Sequence, residues 1–329
     1  ENFFLDKNPK LLVSELLLGT QDAILYEVAR TYSCLWLGVK NSRISKGIVF
    51  CDPLTEIPID FQQNFEKLKN KDFVHDANSF SIVKSFIDKR KDTKILPIYM
   101  KFTGRKGKLI SLHHIRRLFQ ILINSDYKNR ELKKFVQLNL INRCKYWLIR
   151  SRNLLLLRFS NNIKSKFKDI IYLKNKKYII FPLQFEPEAT SSVRGYPNHD
   201  QIKIIRHIAK ILPDEINLVV KEHKGNEGYR LVEDYLEISK LKNVFLVEKF
   251  CNNKDLILNA LGVITINSTF AIEAYFNQKP IVILGNCYWM NLQGLTKYSS
   301  YLDINKTTIN KLFTIPFNKF NYNEMDYFN

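Results

Sequence analysis

The sequence has 329 residues, of which 45% are hydrophobic and 25% charged, and its formal net charge is +19. These values exclude a wholly disordered chain, allow a sizeable core, and favour two domains. The charge is uneven: residues 101–177 hold 21 Lys and Arg against Asp126, Glu131 and Asp169, a net +18. The rest is close to neutral, so that one segment points to an anionic partner: a membrane surface, a lipid-linked acceptor, an acidic glycan or nucleic acid.

The chain starts at Glu1 with no methionine and no secretory leader, and reads as a piece lacking some N-terminal sequence. Its apolar runs are shorter than the ~20 residues that span a bilayer. Cys34, Cys51, Cys144, Cys251 and Cys287 are scattered without a CxxC pair. That argues against disulfides and a zinc site, and for a reducing cytoplasm.

In chain order, residues 19–31 (GTQDAILYEVART) carry apolar positions at helical spacing, and 34–39 (CLWLGV) form a short strand. A second strand follows at 47–51 and stops at Asp52-Pro53; 61–71 read as a helix. From 75 to 170 the pattern is mainly helical, with amphipathic stretches at 115–123 and 132–140. The basic loop 104–108 (GRKGK) lacks P-loop spacing, and His113-His114, adjacent in a helix, point apart. A polar boundary at 168–177 precedes a regular alternation: strands at 178–182, 217–221, 244–247, 262–266 and 280–284, helices at 201–212, 229–240, 254–260 and 271–276. This describes an α/β chain with a doubly wound parallel sheet.

Ligands of such sheets bind at the carboxyl ends of the strands. Four clusters fall there. After the first strand, Gln184, Glu186 and Glu188 stand in a loop (PLQFEPEATSS), where carboxylates serve as base, acid or nucleophile on a sugar. After the second, Lys221, Glu222 and His223 are placed to neutralise phosphate and to bond a ribose or base. Asn267, Ser268 and Thr269 open a helix, where hydroxyls and free N–H groups bind phosphate, and Glu273 lies one turn on, within reach of a ribose hydroxyl. The same hydroxyls also suit a plain N-cap. The fourth, GNCYW at 285–289, carries the least signal.

The segments FPLQFEPEATSS, LVVKEH, NVFLVE and TINSTFAIEAYFNQKPIVILG, in that order, resemble the bacterial capsule polysaccharide synthesis family, which includes β-Kdo transferases and is related in layout to bacterial GT-B sialyltransferases. The resemblance is specific over residues 178–285, fainter over 17–53 and absent over 77–177. It implies a GT-B fold, two Rossmann-like domains facing a central cleft: 1–175 on the acceptor side with a basic helical insertion at 101–177, 176–300 binding the nucleotide sugar, and a tail, 301–329, packing back on the N-terminal domain. It implies a CMP-activated donor of a Kdo- or sialic-like sugar, with no metal and no further cofactor. His223 occupies the place of the His-Pro motif, with Lys224 where that motif has proline, and Ser268-Thr269 the place of the phosphate motif. Glu188 is the expected principal carboxylate, with Glu186 second. The expected acceptor is anionic, lipid-linked or a polysaccharide, with residues 101–177 contacting the cytoplasmic face of the inner membrane. Alternatives are a UDP- or GDP-sugar donor, a non-catalytic relic of the fold, or a nucleic-acid binder. The last is disfavoured because the basic segment has no recognisable base-reading pattern.

Overall fold

The computed structural model describes residues 2–15, 20–41, 47–60, 77–91, 145, 147–186, 188–226, 228–292 and 294–314. The expected features at 61–71, 104–108, 113–114, 115–123 and 132–140 lie outside them.

The N-terminal residues form a small sheet. Strand β1 (Leu11–Glu15) runs parallel to β2 (Leu35–Asn41), which pairs antiparallel with β3 (Ile48–Cys51). The helix Thr20–Thr31 makes the β1–β2 crossover and buries Ala29 beside Cys34 and Trp36. The sequence reading found this helix and the two later strands but passed over β1.

The larger sheet has seven strands: β4 (Phe167–Lys168), β5 (Lys177–Pro182), β6 (Ile216–Lys221), β7 (Val244–Val247), β8 (Gly262–Thr265), β9 (Ile281–Ile283) and β10 (Leu295–Lys297). Their order is β10-β9-β8-β5-β6-β7-β4, and every pairing is parallel. Such strands are covered on both faces and so read as continuous apolar runs. In β5, Ile179, Ile180 and Phe181 are fully buried. Alternate residues enter opposite cores, Tyr178 and Ile180 with the helix Phe270–Phe276, Ile179 and Phe181 with the helix Gln201–Ile211. Each such side chain contributes about 1.5–3 kcal/mol.

From β5 the chain winds outward through β6 and β7, then returns to β8 on the other side. The switch point therefore lies between β5 and β8, the place at whose carboxyl ends sheets of this kind bind ligands. The mixed α/β fold with its parallel sheet is as expected.

Three boundaries differ from the sequence reading. The unit built on the large sheet begins before residue 168. β4 lines its edge, the helix 147–159 packs Leu157 against the core on one face and Leu154 against Gly228, and the helix Ala77–Lys91 adds Val83 and Ile87 to the core on the other face. Residues 301–314, beyond the expected end of this unit at 300, pack on the same sheet: Ile304 and Ile309 join its core, and His207 Nε2 meets the Ile304 carbonyl at 2.8 Å, while 315–329 lie outside the described residues. The helix expected over 229–240 is confined to Val232–Ile238, because residues 228–230 are a turn in which Gly228 takes φ +79°.

A buried ion network joins the two sheets. Lys40 of β2 and Arg194 both bond the Glu56 carboxylate, Lys40 at 3.3 Å, and the Lys40 ammonium lies 4.8 Å from the Tyr288 ring centroid. Glu56 itself sits at φ +63°, a costly conformation for a side chain with a Cβ.

Candidate functional site

The loop leaving β5 is held from three directions. The Gln184 N–H donates to Gln201 Oε1 (2.7 Å), while the Gln184 carbonyl accepts from Arg230 Nη2 (2.9 Å) and Gln201 Nε2 (3.3 Å). The Gln184 side chain crosses the switch point to the loop after β8. With its oxygen turned to that loop it accepts from the Ser268 N–H (3.0 Å) and the Asn267 N–H (3.2 Å), and its nitrogen donates to Asn267 Oδ1 (3.3 Å). Asn267 Nδ2 continues to the Asn286 carbonyl after β9 (3.1 Å). Gln184 and Asn267 thus tie three strand ends together, and both are buried.

Further along, Glu188 is exposed. Its backbone carbonyl accepts from the hydroxyls of Ser191 (3.0 Å) and Ser192 (2.8 Å) and from both their N–H groups, capping the short helix Ala189–Ser192. Its carboxylate has no partner among the described residues. Glu186 differs: its Oε2 accepts from Arg230 Nη1 at 2.8 Å.

After β6, successive residues point to opposite faces of the sheet. Lys221 turns to one side and is buried, its Nζ donating to the Lys249 carbonyl (3.1 Å). Burial pushes its ammonium below the ordinary lysine value, against the pull of nearby Glu273 and Glu222. Glu222 turns to the other side, 5% exposed. Its Oε1 accepts from the His223 N–H (2.7 Å) and Asn226 Nδ2 (3.3 Å), and its Oε2 from Tyr235 OH (2.6 Å) and Arg230 Nε (3.0 Å). Both oxygens are occupied internally. Glu222 therefore serves the fold where the sequence suggested a nucleotide contact. Burial and the Glu222 carboxylate raise the Tyr235 hydroxyl well above its ordinary value. Burial works to lower the Arg230 guanidinium, but Glu222 and Glu186 outweigh it and hold it above the usual arginine value.

His223 follows in the loop after β6, partly buried, with its ring edge-on to Phe185. Its Nδ1 accepts from the Gly225 N–H (3.1 Å), which puts the ring proton on Nε2. Burial, with Lys221, Arg230 and Lys224 nearby, lowers its pKa from 6.5, Glu222 opposing. This favours the neutral imidazole, which presents its Nε2–H as a hydrogen-bond donor. Because the folded value lies below the unfolded one, the unfolded chain binds the extra proton. Stability is complete above pH 6.5 and falls as pH drops through that value toward the folded one. Urea unfolding of the wild type should therefore weaken on acidification more steeply than that of His223→Gln. Equal slopes would exclude a neutral, buried His223.

At the start of the helix Phe270–Phe276, Ser268 Oγ accepts from the Phe270 N–H (3.3 Å), and the Ser268 N–H also approaches Thr265 Oγ1 (3.1 Å). The Asn267 and Ser268 N–H groups are thus satisfied within the protein, and the hydroxyls of Ser268 and Thr269 are what this corner offers an anion. Glu273 Oε2 accepts from Asn253 Nδ2 (2.9 Å). No three His, Cys, Asp or Glu side chains among the described residues cluster as metal ligands.

Arg230 is the residue that sequence reading missed. The sequence pattern places it in a helix over 229–240, and its buried guanidinium is visible only once the turn at Gly228 brings it back over Glu222. The helix 147–159 steadies that turn: Asn153 Nδ2 donates to the carbonyls of Gly228 (3.2 Å) and Arg230 (3.1 Å), and the Arg150 guanidinium lies 4.0 Å from the Tyr229 ring centroid. Tyr229 then meets Phe185 edge-on (5.1 Å), and Phe185 meets His223 (6.2 Å).

A family model described as capsule polysaccharide biosynthesis protein matches residues 114–314, more than half of the chain. The chain belongs to this family. Its strand-end loops are therefore those of a capsule polysaccharide biosynthesis protein. This family member is 27% identical over 137 residues to the capsule polysaccharide export protein KpsS of Escherichia coli, an alignment covering 39% of this chain and 34% of that one. The chain thus spans about a third of the length of the curated relative. Among solved structures it is similar to the β-Kdo 2,7 transferase KpsC of Thermosulfurimonas dismutans (14% identity, 99% of this chain and 78% of that one, TM-score 0.47). The β-Kdo 2,4 transferase KpsC of the same organism is similar too (11% identity, 97% and 78%, TM-score 0.45).

Proposed function

We propose that this chain is a metal-independent GT-B glycosyltransferase of surface polysaccharide synthesis, moving an acidic Kdo- or sialic-like sugar from a CMP-activated donor to an anionic lipid-linked or glycan acceptor. The observation that carries the reading is what stands uncommitted at the carboxyl ends of β5, β6 and β8 in a capsule biosynthesis protein. Among the described residues these groups are the exposed Glu188 carboxylate, the His223 Nε2–H, the Thr269 hydroxyl and the donor side of the Ser268 hydroxyl, whose oxygen accepts from the Phe270 N–H. In this reading Glu188 supplies the carboxylate of the transfer, and His223 donates to the nucleotide. Ser268 and Thr269 hold the phosphate, which leaves with the nucleotide, and Glu273 takes a ribose hydroxyl. Gln184, Asn267, Lys221 and Glu222 keep the strand ends in register. Lys224, half-buried beside His223, lends the phosphate a positive field.

The basic segment 101–177 contacts the cytoplasmic face of the inner membrane or the anionic acceptor in this proposal. Its described part supports that: Phe159, Ile171 and Tyr172 are exposed among Arg158, Lys164, Lys166, Lys168, Lys174 and Lys176. Among the described residues no helix is long and apolar enough to cross a membrane.

Thermal denaturation with CMP, UDP and GDP tests the donor. CMP should raise the melting temperature, and EDTA should leave that rise unchanged. Stabilisation by UDP or GDP with no response to CMP overturns the CMP reading.

A further inference from the structure

Arg230 makes three directed bonds from a nearly inaccessible side chain: Nε to Glu222 Oε2, Nη1 to Glu186 Oε2 and Nη2 to the Gln184 carbonyl. The side chain of Arg230 is 1% exposed, that of Glu222 6% and that of Glu186 34%. The first and last of these bonds satisfy buried groups and suit a structural arginine. The bond to Glu186 satisfies the buried Nη1 too, but its acceptor is a carboxylate one-third open to water, which could turn to solvent and is instead gripped by a planar fork whose other prongs are fixed. The charged and titratable groups around this contact are Glu222 after β6, and Tyr235 and Asp234 on the helix Val232–Ile238; Asp234 is raised by burial, with Arg230 opposing and Glu186 adding to the rise. Among the described residues the hydrogen bond that orients the Glu186 carboxylate is the one from Arg230.

We propose that Arg230 is a positioning residue of the site, locking Glu186 and the backbone of the loop after β5 into one arrangement so that Glu188, two residues on, meets the reacting sugar in a fixed geometry. The role in transfer rests on the glycosyltransferase reading; the clamp itself does not. Two neighbouring carboxylates thereby take different tasks by environment: Glu186 is tied down and Glu188 is left uncommitted. The clamp also links the loop after β5 to the helix 147–159, whose Asn153 holds the Arg230 carbonyl.

The test is a double-mutant cycle with Glu186→Ala and Arg230→Lys, with Glu186→Gln as the conservative control. Lysine keeps the charge but cannot serve three acceptors in a planar fork. Glu186→Ala should lower kcat by about tenfold or more, since small displacements near reacting atoms have large effects. It should leave CMP affinity within about twofold and lower the melting temperature less than Glu222→Ala does, because one buried donor, Arg230 Nη1, loses its acceptor while the other two keep theirs. Glu186→Gln, whose amide oxygen still accepts from Arg230, should restore most of the rate. The double variant should be no slower than Arg230→Lys, because both changes break one contact. Wild-type kcat in Glu186→Ala, or losses that multiply in the double variant, would overturn the proposal. If the wild-type protein transfers no sugar from CMP, UDP or GDP donors, the functional reading fails, and the clamp is still tested by amide hydrogen exchange. Residues 183–192 should exchange faster in Glu186→Ala than in the wild type, and equal protection would overturn it.

Discussion

Glu188→Gln is expected to reduce transfer by about 10²–10⁴-fold, the range for a group that moves a proton or bonds in the transition state, with no loss of stability. The separation is clean because of which atoms of Glu188 the fold uses. Its backbone carbonyl caps the helix Ala189–Ser192, accepting four hydrogen bonds from Ser191 and Ser192. Its side chain is exposed and has no partner among the described residues. The substitution keeps the backbone cap and nearly the same shape, so unfolding should stay within about 0.5 kcal/mol of wild type. Transfer from a CMP-sugar and urea unfolding, measured on the same preparation, check the two halves. Full activity in the variant would remove Glu188 from the chemistry and favour a non-catalytic relic of the fold.

Glu222→Ala should do the reverse, lowering stability by about 3–5 kcal/mol, the cost of removing one partner from a buried ion pair. That is a large share of the ~5–15 kcal/mol that holds a domain together. Four donors lose their acceptor at once: Arg230 Nε, Tyr235 OH, Asn226 Nδ2 and the His223 N–H. Each is buried or nearly so, and water cannot readily replace the carboxylate. Tyr235→Phe, which removes one bond to a charged group and leaves the others, should cost a smaller ~1.5–3 kcal/mol. Urea unfolding of the two variants measures both. A Glu222→Ala protein as stable as Tyr235→Phe would show that the carboxylate is not the hub of this network.

The three strand-end clusters illustrate how far residue spacing reaches. Gln184, His223 and Asn267 were each placed after an apolar run, and the structure puts those runs side by side as β5, β6 and β8. Which of the cluster residues look outward was not legible. Lys221, Glu222 and His223 are consecutive, and one register step sends Lys221 to the Lys249 carbonyl, Glu222 to Tyr235 and His223 to Phe185. A string of three ionisable residues carries no mark of that division, because it depends on which partner waits on each face.

Residue spacing alone determined the α/β class, the parallel sheet and the end of the strands at which polar residues gather. These are local properties: apolar runs of four or five residues bury both faces of a strand, and helices between them force parallel connections. Tertiary structure decided the rest. The helix 147–159, the helix Ala77–Lys91 and residues 301–314 join the large sheet through contacts distant in sequence, and the two-residue strand β4 exists only because β7 is beside it. Arg230 becomes the centre of the site because a glycine turn folds it over Glu222, Glu186 and the Gln184 carbonyl, residues 8 to 46 positions away. Partners that far apart leave no periodic trace in a chain; they are chosen when the sheet closes and the buried guanidinium must find every acceptor within reach.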